Sequence, residues 1–255
     1  MNPVMLPQVA CAVRGFTPLD LAGAFFWEDA GLLYQDIART TLAVTEADPV
    51  GSVTDLSGNG NHIAAVADDT TRPALNLTGP NGSRIVNSDG VNDILIGPSI
   101  DTAAGFTMWG VFRAETTVVG CPFISGSQSA NWRIYCNSGG LNEVRMNTSA
   151  GVSSIGAAMV IDQWYIVIGR YRVSDALQSV ILDGTKYDEK STGTGTPVTS
   201  EPRFLCRVAS SPASSAAAGI VTRYLTDAEC NQLGHYLKNK YNPFSLASGP
   251  QWVGL

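Results

Sequence analysis

The sequence is short of charge, of histidine and of paired cysteine spacing, and each shortage removes a class of function. Only 15% of its 255 residues are charged, with 16 Lys plus Arg against 22 Asp plus Glu, so the formal net charge is −6. No run of basic residues forms the positive footprint that nucleic acid requires, which argues against nucleic acid as a partner. No apolar run approaches the roughly 18 residues that a membrane helix needs, so a membrane is not expected either. The first 13 residues, MNPVMLPQVACAV, lack a basic start and are interrupted by Pro3 and Pro7, and do not read as a secretory signal. Cys11, Cys121, Cys136, Cys206 and Cys230 include no C-x-x-C pair, which speaks against a zinc or redox motif and for buried free thiols. The exception worth checking is Cys121 with Cys136, which a hairpin would bring face to face. With only two histidines, any triad or histidine-bound metal must use His62 or His235. His235 has Asn239 rather than a ligand one turn on, and His62 closes a Gly/Asn turn, so structural or solvent-facing roles are expected for both.

What is plentiful is turn chemistry and apolar residues. There are 26 glycines, 13 prolines and 44% hydrophobic residues, the composition of a turn-rich chain with a full core. Runs of β-branched and aromatic residues recur from residue 84 onward: 84–86, 93–96, 106–113, 122–125, 132–136, 144–147, 164–173, 179–182, 203–208 and 219–224. In WYIVIGRYR, starting at Trp164, both alternating faces are apolar, so this strand is expected at the centre of a sheet with both sides covered. Asp183-Gly184 follows as a tight turn. Residues 55–62 (DLSGNGNH) form a dense turn signal, and the Ser- and Ala-rich stretches 191–200 and 210–218 read as exposed loops. A single helix is predicted over 226–241: Thr226 and Glu229 form a capping box, and Cys230, Leu233, Leu237 and Tyr241 share one face.

The order of these segments resembles the concanavalin A-like lectin/glucanase superfamily, in particular its laminin-G-like domains found in bacteriophage virion proteins and bacterial surface proteins. VGSVTDLSGNGNH from Val50 is similar to the entry segment of that family. SDGVNDIL from Ser88 is similar to its F-D-G-x-x-D-x-L strand with Ser88 in the aromatic position, and FTMWGVF from Phe106 to the strand that follows. Leu225, Glu229, Tyr236, Leu237, Lys240 and Tyr241 match its closing helix. The resemblance covers about residues 50 to 243 and implies an all-β, two-sheet antiparallel jelly-roll sandwich with one C-terminal α-helix. The domain is expected to span 21–243, after an extended arm (1–20) and before a tail (244–255).

Glucanases of that superfamily carry E-x-D-x-E, which puts three carboxylates on one face of a strand, and a retaining glycosidase needs such a pair about 5 Å apart. The motif is absent here, and the adjacent pairs Glu28-Asp29 and Asp188-Glu189 would point to opposite faces of a strand, so no enzymatic activity is expected. No cofactor is expected. Asp89, Asn92 and Asp93 form the one tight acidic cluster in a loop; they are the candidate ligands for Ca2+, but a turn whose side chains bond their own backbone is the preferred reading. Among the five tryptophans, Trp109 and Trp164 read as core, Trp27 and Trp132 as candidate sugar-stacking platforms, and Trp252 as an anchor in the tail. Val4, Met5, Leu6 and Val9 on the proline-containing arm are candidate docking residues.

Together these features lead to a non-catalytic virion structural protein of a phage, such as a capsid decoration, head-fibre or tail-associated protein, assembled in the host cytoplasm. Its expected partners are other virion proteins or copies of itself, with a host-surface glycan a further candidate. The rivals are a bacterial surface glycan-binding or adhesion module and a degenerate glycoside hydrolase.

Overall fold

The computed structural model describes residues 15–241, apart from 24, 30, 67–70, 116–120, 127–131, 138–142, 149–150, 154–158, 192–198, 200 and 205–211. Its strands are β1 (Phe25–Glu28), β2 (Leu33–Tyr34), β3 (Ser52–Val53), β4 (Ile63–Ala65), β5 (Ala74–Asn76), β6 (Ile85–Ser88), β7 (Leu95–Ile96), β8 (Gly105–Ala114) and β9 (Cys121–Ser125). They continue with β10 (Trp132–Asn137), β11 (Glu143–Thr148), β12 (Gly151–Ser153), β13 (Trp164–Arg172), β14 (Leu177–Leu182), β15 (Thr185–Ser191), β16 (Arg203–Phe204) and β17 (Ala213–Val221), followed by the helix α1 (Asp227–Tyr241). Two antiparallel sheets result. One runs β15-β14-β13-β8-β17-β6-β5, with β1 beside the second half of β17; the other runs β12-β11-β10-β9-β16-β7-β4-β3-β2. The chain is an all-β sandwich with one helix near its C-terminal end.

Alternation along the central strands sorts residues into two cores. Phe106, Met108 and Phe112 of β8 and Val167 and Tyr171 of β13 face the second sheet, where they meet Ile124, Trp132, Ile134 and Met146. Trp109 and Val111 of β8 and Ile166 and Ile168 of β13 face outward instead, and α1 covers them with Cys230, Leu233, Leu237 and Tyr241. Both faces of the Trp164 strand are therefore buried. The helix starts as its residues dictate: Thr226 Oγ1 accepts the Glu229 N–H at 3.2 Å, and Glu229 Oε2 accepts the Thr226 N–H at 2.8 Å.

Three expectations are corrected. The Ala- and Ser-rich stretch before Gly219 is no loop: Ala213–Val221 is the buried central strand β17, between β8 on one side and β6 and β1 on the other. Its small side chains are a packing requirement, because the Trp109 indole lies over Gly219 so closely that a Cβ there would come within 2.3 Å of the ring. Glu28 and Asp29 do not face apart, because β1 ends at Glu28; both carboxylates converge on Lys240 Nζ, each at 2.9 Å. The described end of the N-terminal arm is not extended, since Pro18–Leu21 form a 3-10 turn capped by Thr17, and Phe16 packs edge-on against Tyr236 of α1. Val4, Met5, Leu6, Val9 and Trp252 lie outside the described residues. The strand register sets Cys121 directly opposite Cys136 in the β9–β10 pair.

Candidate functional site

The aromatic platforms fail on burial. Trp27 is 2% exposed and Trp132 fully buried, Trp27 in the core between the sheets and Trp132 with its ring 5.3 Å from that of Phe106. Neither ring can stack on a sugar. The Ser/Gly/Asn residues beside Trp132 suggested exposure, but alternation turns its side chain inward. Trp109 and Trp164 are core residues, as their strands implied.

The loop of Asp89, Asn92 and Asp93 spends its carboxylates locally. Asp93 Oδ2 accepts the Asp89 N–H at 2.7 Å, and Asp89 Oδ1 accepts the Val91 N–H at 2.7 Å. Among the described residues, no three His, Cys, Asp or Glu side chains converge closely enough to hold a metal ion.

The loop nevertheless borders the most informative polar hollow of the molecule. Register places Trp164, Arg113, Ser214, Asn87 and Ala74 side by side on the outer face of the first sheet, across β13, β8, β17, β6 and β5. Two residues along, the same face carries Glu115 beyond β8 and Arg72 before β5. Arg113 stacks its guanidinium over the Trp164 ring at 5.2 Å and donates through Nη2 to Glu115 Oε1 at 2.7 Å and to Ser214 Oγ at 3.2 Å. Ser214 Oγ donates to the same Glu115 oxygen. Asn87, next in the row, breaks the pattern: its amide oxygen is buried yet has no hydrogen-bond partner among the described residues. A hollow of about 420 Å³ opens there, lined by Arg72, Asn87, Asp89, Asp93, Glu115 and Pro212, within the roughly 300–1,000 Å³ of small-molecule sites. Asp93 is only 5% exposed, and burial pushes its carboxyl up to about 6 despite the Asp89 N–H.

Two other hollows lie elsewhere on the sandwich. At one end of the sandwich, the 55–62 loop is tied down by buried Asp55, whose carboxylate accepts the N–H groups of Phe26, Ser57 and Asn61 and the Ser57 hydroxyl. His62 Nδ1 accepts the Asp55 N–H at 3.0 Å, and burial holds its pKa below the ordinary value, so His62 serves the turn. This loop places Asn59 and Asn61 beside Ser99, Asp101 and Thr222 around a space of about 490 Å³. The third hollow, about 550 Å³, lies between Phe16 and the outer side of α1, where His235 is exposed. Two of its polar groups are engaged: Tyr236 donates to Glu28 at 2.7 Å, and Lys240 bridges Glu28 and Asp29.

The sequence pointed to the Asp89–Asp93 loop but not to Asn87, Glu115 or Arg72. They lie at separate places in the chain, and strand register alone brings them together.

Known folds place this architecture. No protein-family model and no curated protein matches the chain. Among solved structures, it is similar to the botulinum neurotoxin type G receptor binding domain (TM-score 0.54, 10% identity, 86% of this chain and 51% of that one). It is also similar to the binding domain of botulinum neurotoxin DC in complex with rat synaptotagmin II (TM-score 0.55, 13% identity, 81% and 51%). A third is the Trypanosoma rangeli sialidase in complex with sialic acid (TM-score 0.57, 12% identity, 82% and 33%). The chain spans between a third and about half of these proteins. At such identities the likeness is one of fold.

Proposed function

We propose that this chain is a non-catalytic glycan-binding attachment module, carried in a phage virion as a capsid decoration, head-fibre or tail-associated component assembled in the host cytoplasm. The observation that carries the binding part is the polar hollow of about 420 Å³ on the outer face of the first sheet, lined by Arg72, Asn87, Asp89, Asp93 and Glu115. The hollow offers carboxylates and an amide, the groups that fix sugar hydroxyls. The receptor- and glycan-bound proteins of similar fold support the same reading. The virion assignment rests on the laminin-G-like resemblance of the sequence. The absence of E-x-D-x-E supports a binding role over hydrolysis.

The test is a glycan array followed by calorimetry on the best ligand, comparing the natural protein with Asn87→Ala. The expected result is binding weakened at least tenfold with the thermal unfolding profile kept. Unchanged affinity in the variant removes the site. Turnover of a bound glycan that disappears in both Asp93→Asn and Glu115→Gln overturns the non-catalytic reading. Mass spectrometry of purified particles from the source culture tests the virion assignment: the chain is expected at stoichiometric abundance, and absence from the particles rejects it.

A further inference from the structure

We propose that Cys121 and Cys136 close into a disulfide across β9 and β10 when the protein meets an oxidant, and that the bond braces one end of the second sheet. Strand register supplies the first observation: Cys121 of β9 stands directly opposite Cys136 of β10. Opposed positions of an antiparallel pair lie on one face of the sheet. Their Cα atoms are about 4.5 Å apart in a non-hydrogen-bonded pair and about 5.5 Å apart in a hydrogen-bonded one. Both spacings fall inside the range of roughly 4.4–6.8 Å that a disulfide spans. The two positions therefore meet the backbone condition for the bond whichever kind of pair they form.

The second observation is that a regular ladder would not align them. Ser125 pairs with Arg133 and Ile124 with Ile134, and continuing that register would set Pro122 against Cys136. The register shifts between Ile134 and Tyr135 instead, so that Pro122 meets Tyr135, Phe123 is the extra residue, and Cys121 comes opposite Cys136. A one-residue bulge brings the cysteines into step. Cys230 is the contrast: it is a free thiol buried on the inner side of α1, and burial pushes it up to about 11.

Within the second sheet, β10, β11 and β12 are joined to the remaining strands through the β9–β10 pair. A bond at this pair closes a loop of about 15 residues and removes conformations from the unfolded chain. The oxidant is a small disulfide such as oxidised glutathione. One cysteine thiolate attacks a glutathione sulfur, giving a mixed disulfide and releasing one glutathione thiol. The second cysteine then attacks the protein sulfur of that mixed disulfide and releases the other. Two cysteine thiols give up two protons and two electrons, and two glutathione thiols take them. A reducing cytoplasm holds such a pair as thiols, and an oxidising medium closes it.

The test treats the folded whole chain with oxidised glutathione at about pH 8 and reads the intact mass of one portion. The other portion is alkylated with iodoacetamide in urea and digested by trypsin without reduction. The expected result is a loss of about 2 Da relative to the reduced chain, the mass of two hydrogens. The tryptic peptide of residues 114–133 should be joined to that of residues 134–145, with Cys206 and Cys230 alkylated on peptides of their own. The bridged chain is expected to melt about 5 °C or more above the reduced one. Cys121→Ala and Cys136→Ala are each expected to lose both the link and the gain, and Cys206→Ala to keep both. Alkylation of Cys121 and Cys136 in the oxidised natural protein, or a link from either to Cys206, overturns the proposal. A bridge that leaves the melting temperature unchanged overturns it as a brace.

Discussion

Two polar clusters sit on the outer face of the same sheet, and they differ in whether their hydrogen bonds close. Under α1, Arg170 is fully buried on β13, yet every direction is answered. Its Nε donates to Ser179 Oγ at 2.8 Å, Nη1 donates to the Leu225 carbonyl at 2.8 Å, and Nη2 pairs with Asp227. The Tyr224 ring covers its face at 4.5 Å. Further along the sheet, the row of Arg113, Ser214 and Asn87 pairs Arg113 Nη2 and the Ser214 hydroxyl but leaves Arg113 Nε and the Asn87 amide oxygen without a hydrogen-bond partner among the described residues. Arg170 locks the start of the helix onto the sheet, and its polarity is internal to the fold. The Asn87 side chain joins no two elements of the fold by a hydrogen bond from its amide oxygen, and it lines the polar hollow instead.

The sharpest way to break this contrast is to remove Arg170. Arg170→Ala strands Ser179 and the Leu225 carbonyl at a helix–sheet junction and leaves Asp227 with Lys186 alone, and is expected to cost about 3–5 kcal/mol in urea unfolding. Arg170→Met, which restores the packing but none of the hydrogen bonds, is expected to recover less than half of that loss. Full recovery in Arg170→Met would mean that packing, and not the closed network, is what Arg170 supplies.

A second expected effect, on the order of 2–4 kcal/mol, concerns Asp183 in the β14–β15 turn. Its Oδ1 accepts the Ile166 N–H at 2.8 Å, but burial pushes the carboxyl up from 3.8 to about 7. The folded chain therefore holds a proton there that the unfolded chain releases. This contribution to stability is fully present below about pH 4 and is lost as pH rises toward about 7; Asp93, raised to about 6, adds in the same direction. Asp183→Asn keeps the acceptor, removes the charge and suits the φ of +47° at this position. It is expected to raise the melting temperature at pH 8 and to change it little at pH 4, as thermal unfolding at the two values will show. A stabilisation of equal size at both would trace the gain to backbone conformation alone.

How much of this was legible in the sequence follows from which forces are local. The capping box of Thr226 and Glu229 and the double-sided strand from Trp164 could be read directly, because both are set by neighbouring residues and alternation. The strand β17 was hidden, because Ala213–Gly219 carries little β propensity. Its place is set by Trp109 and by pairing with three strands distant in sequence, a case of tertiary context overriding composition. The tryptophan platforms failed similarly, because polar neighbours in sequence do not reveal which face of a strand is inward. The Asp89–Asp93 loop was visible as a turn, and its hydrogen bonds are those of a turn. Its partners in the hollow became visible only through register: Asn87, Glu115 and Arg72 share no local motif.

A change of about 1 kcal/mol is expected at the helix start, where Arg223 grips Glu229 at 2.7 and 3.0 Å. The side-chain bond from Arg223, with the Thr226 N–H and hydroxyl, holds the Glu229 carboxyl down at about 2. That stability is present above about pH 4.5 and is lost as pH falls toward about 2. Glu229→Ala is accordingly expected to lower stability by about 1 kcal/mol at pH 7 and by much less at pH 2.5, where the two proteins should converge in denaturant titrations.

The smallest expected effect on stability is the most informative about function. Asn87→Leu replaces an amide whose buried oxygen is unpaired by an apolar group of similar size, next to Ala74 on one side and Ser214 on the other. Removing an unsatisfied buried acceptor recovers its desolvation cost, so folding stability is expected to stay level or to rise by up to about 1 kcal/mol, the reverse of the Arg170 outcome. Glycan binding is expected to fall at least tenfold in the same variant. Stability and binding thus move apart at Asn87, whereas a residue that merely supports the fold would lose both together. A loss of 2 kcal/mol or more in urea unfolding would show that the amide is satisfied in solution and belongs to the fold, and would erase the distinction between the two clusters.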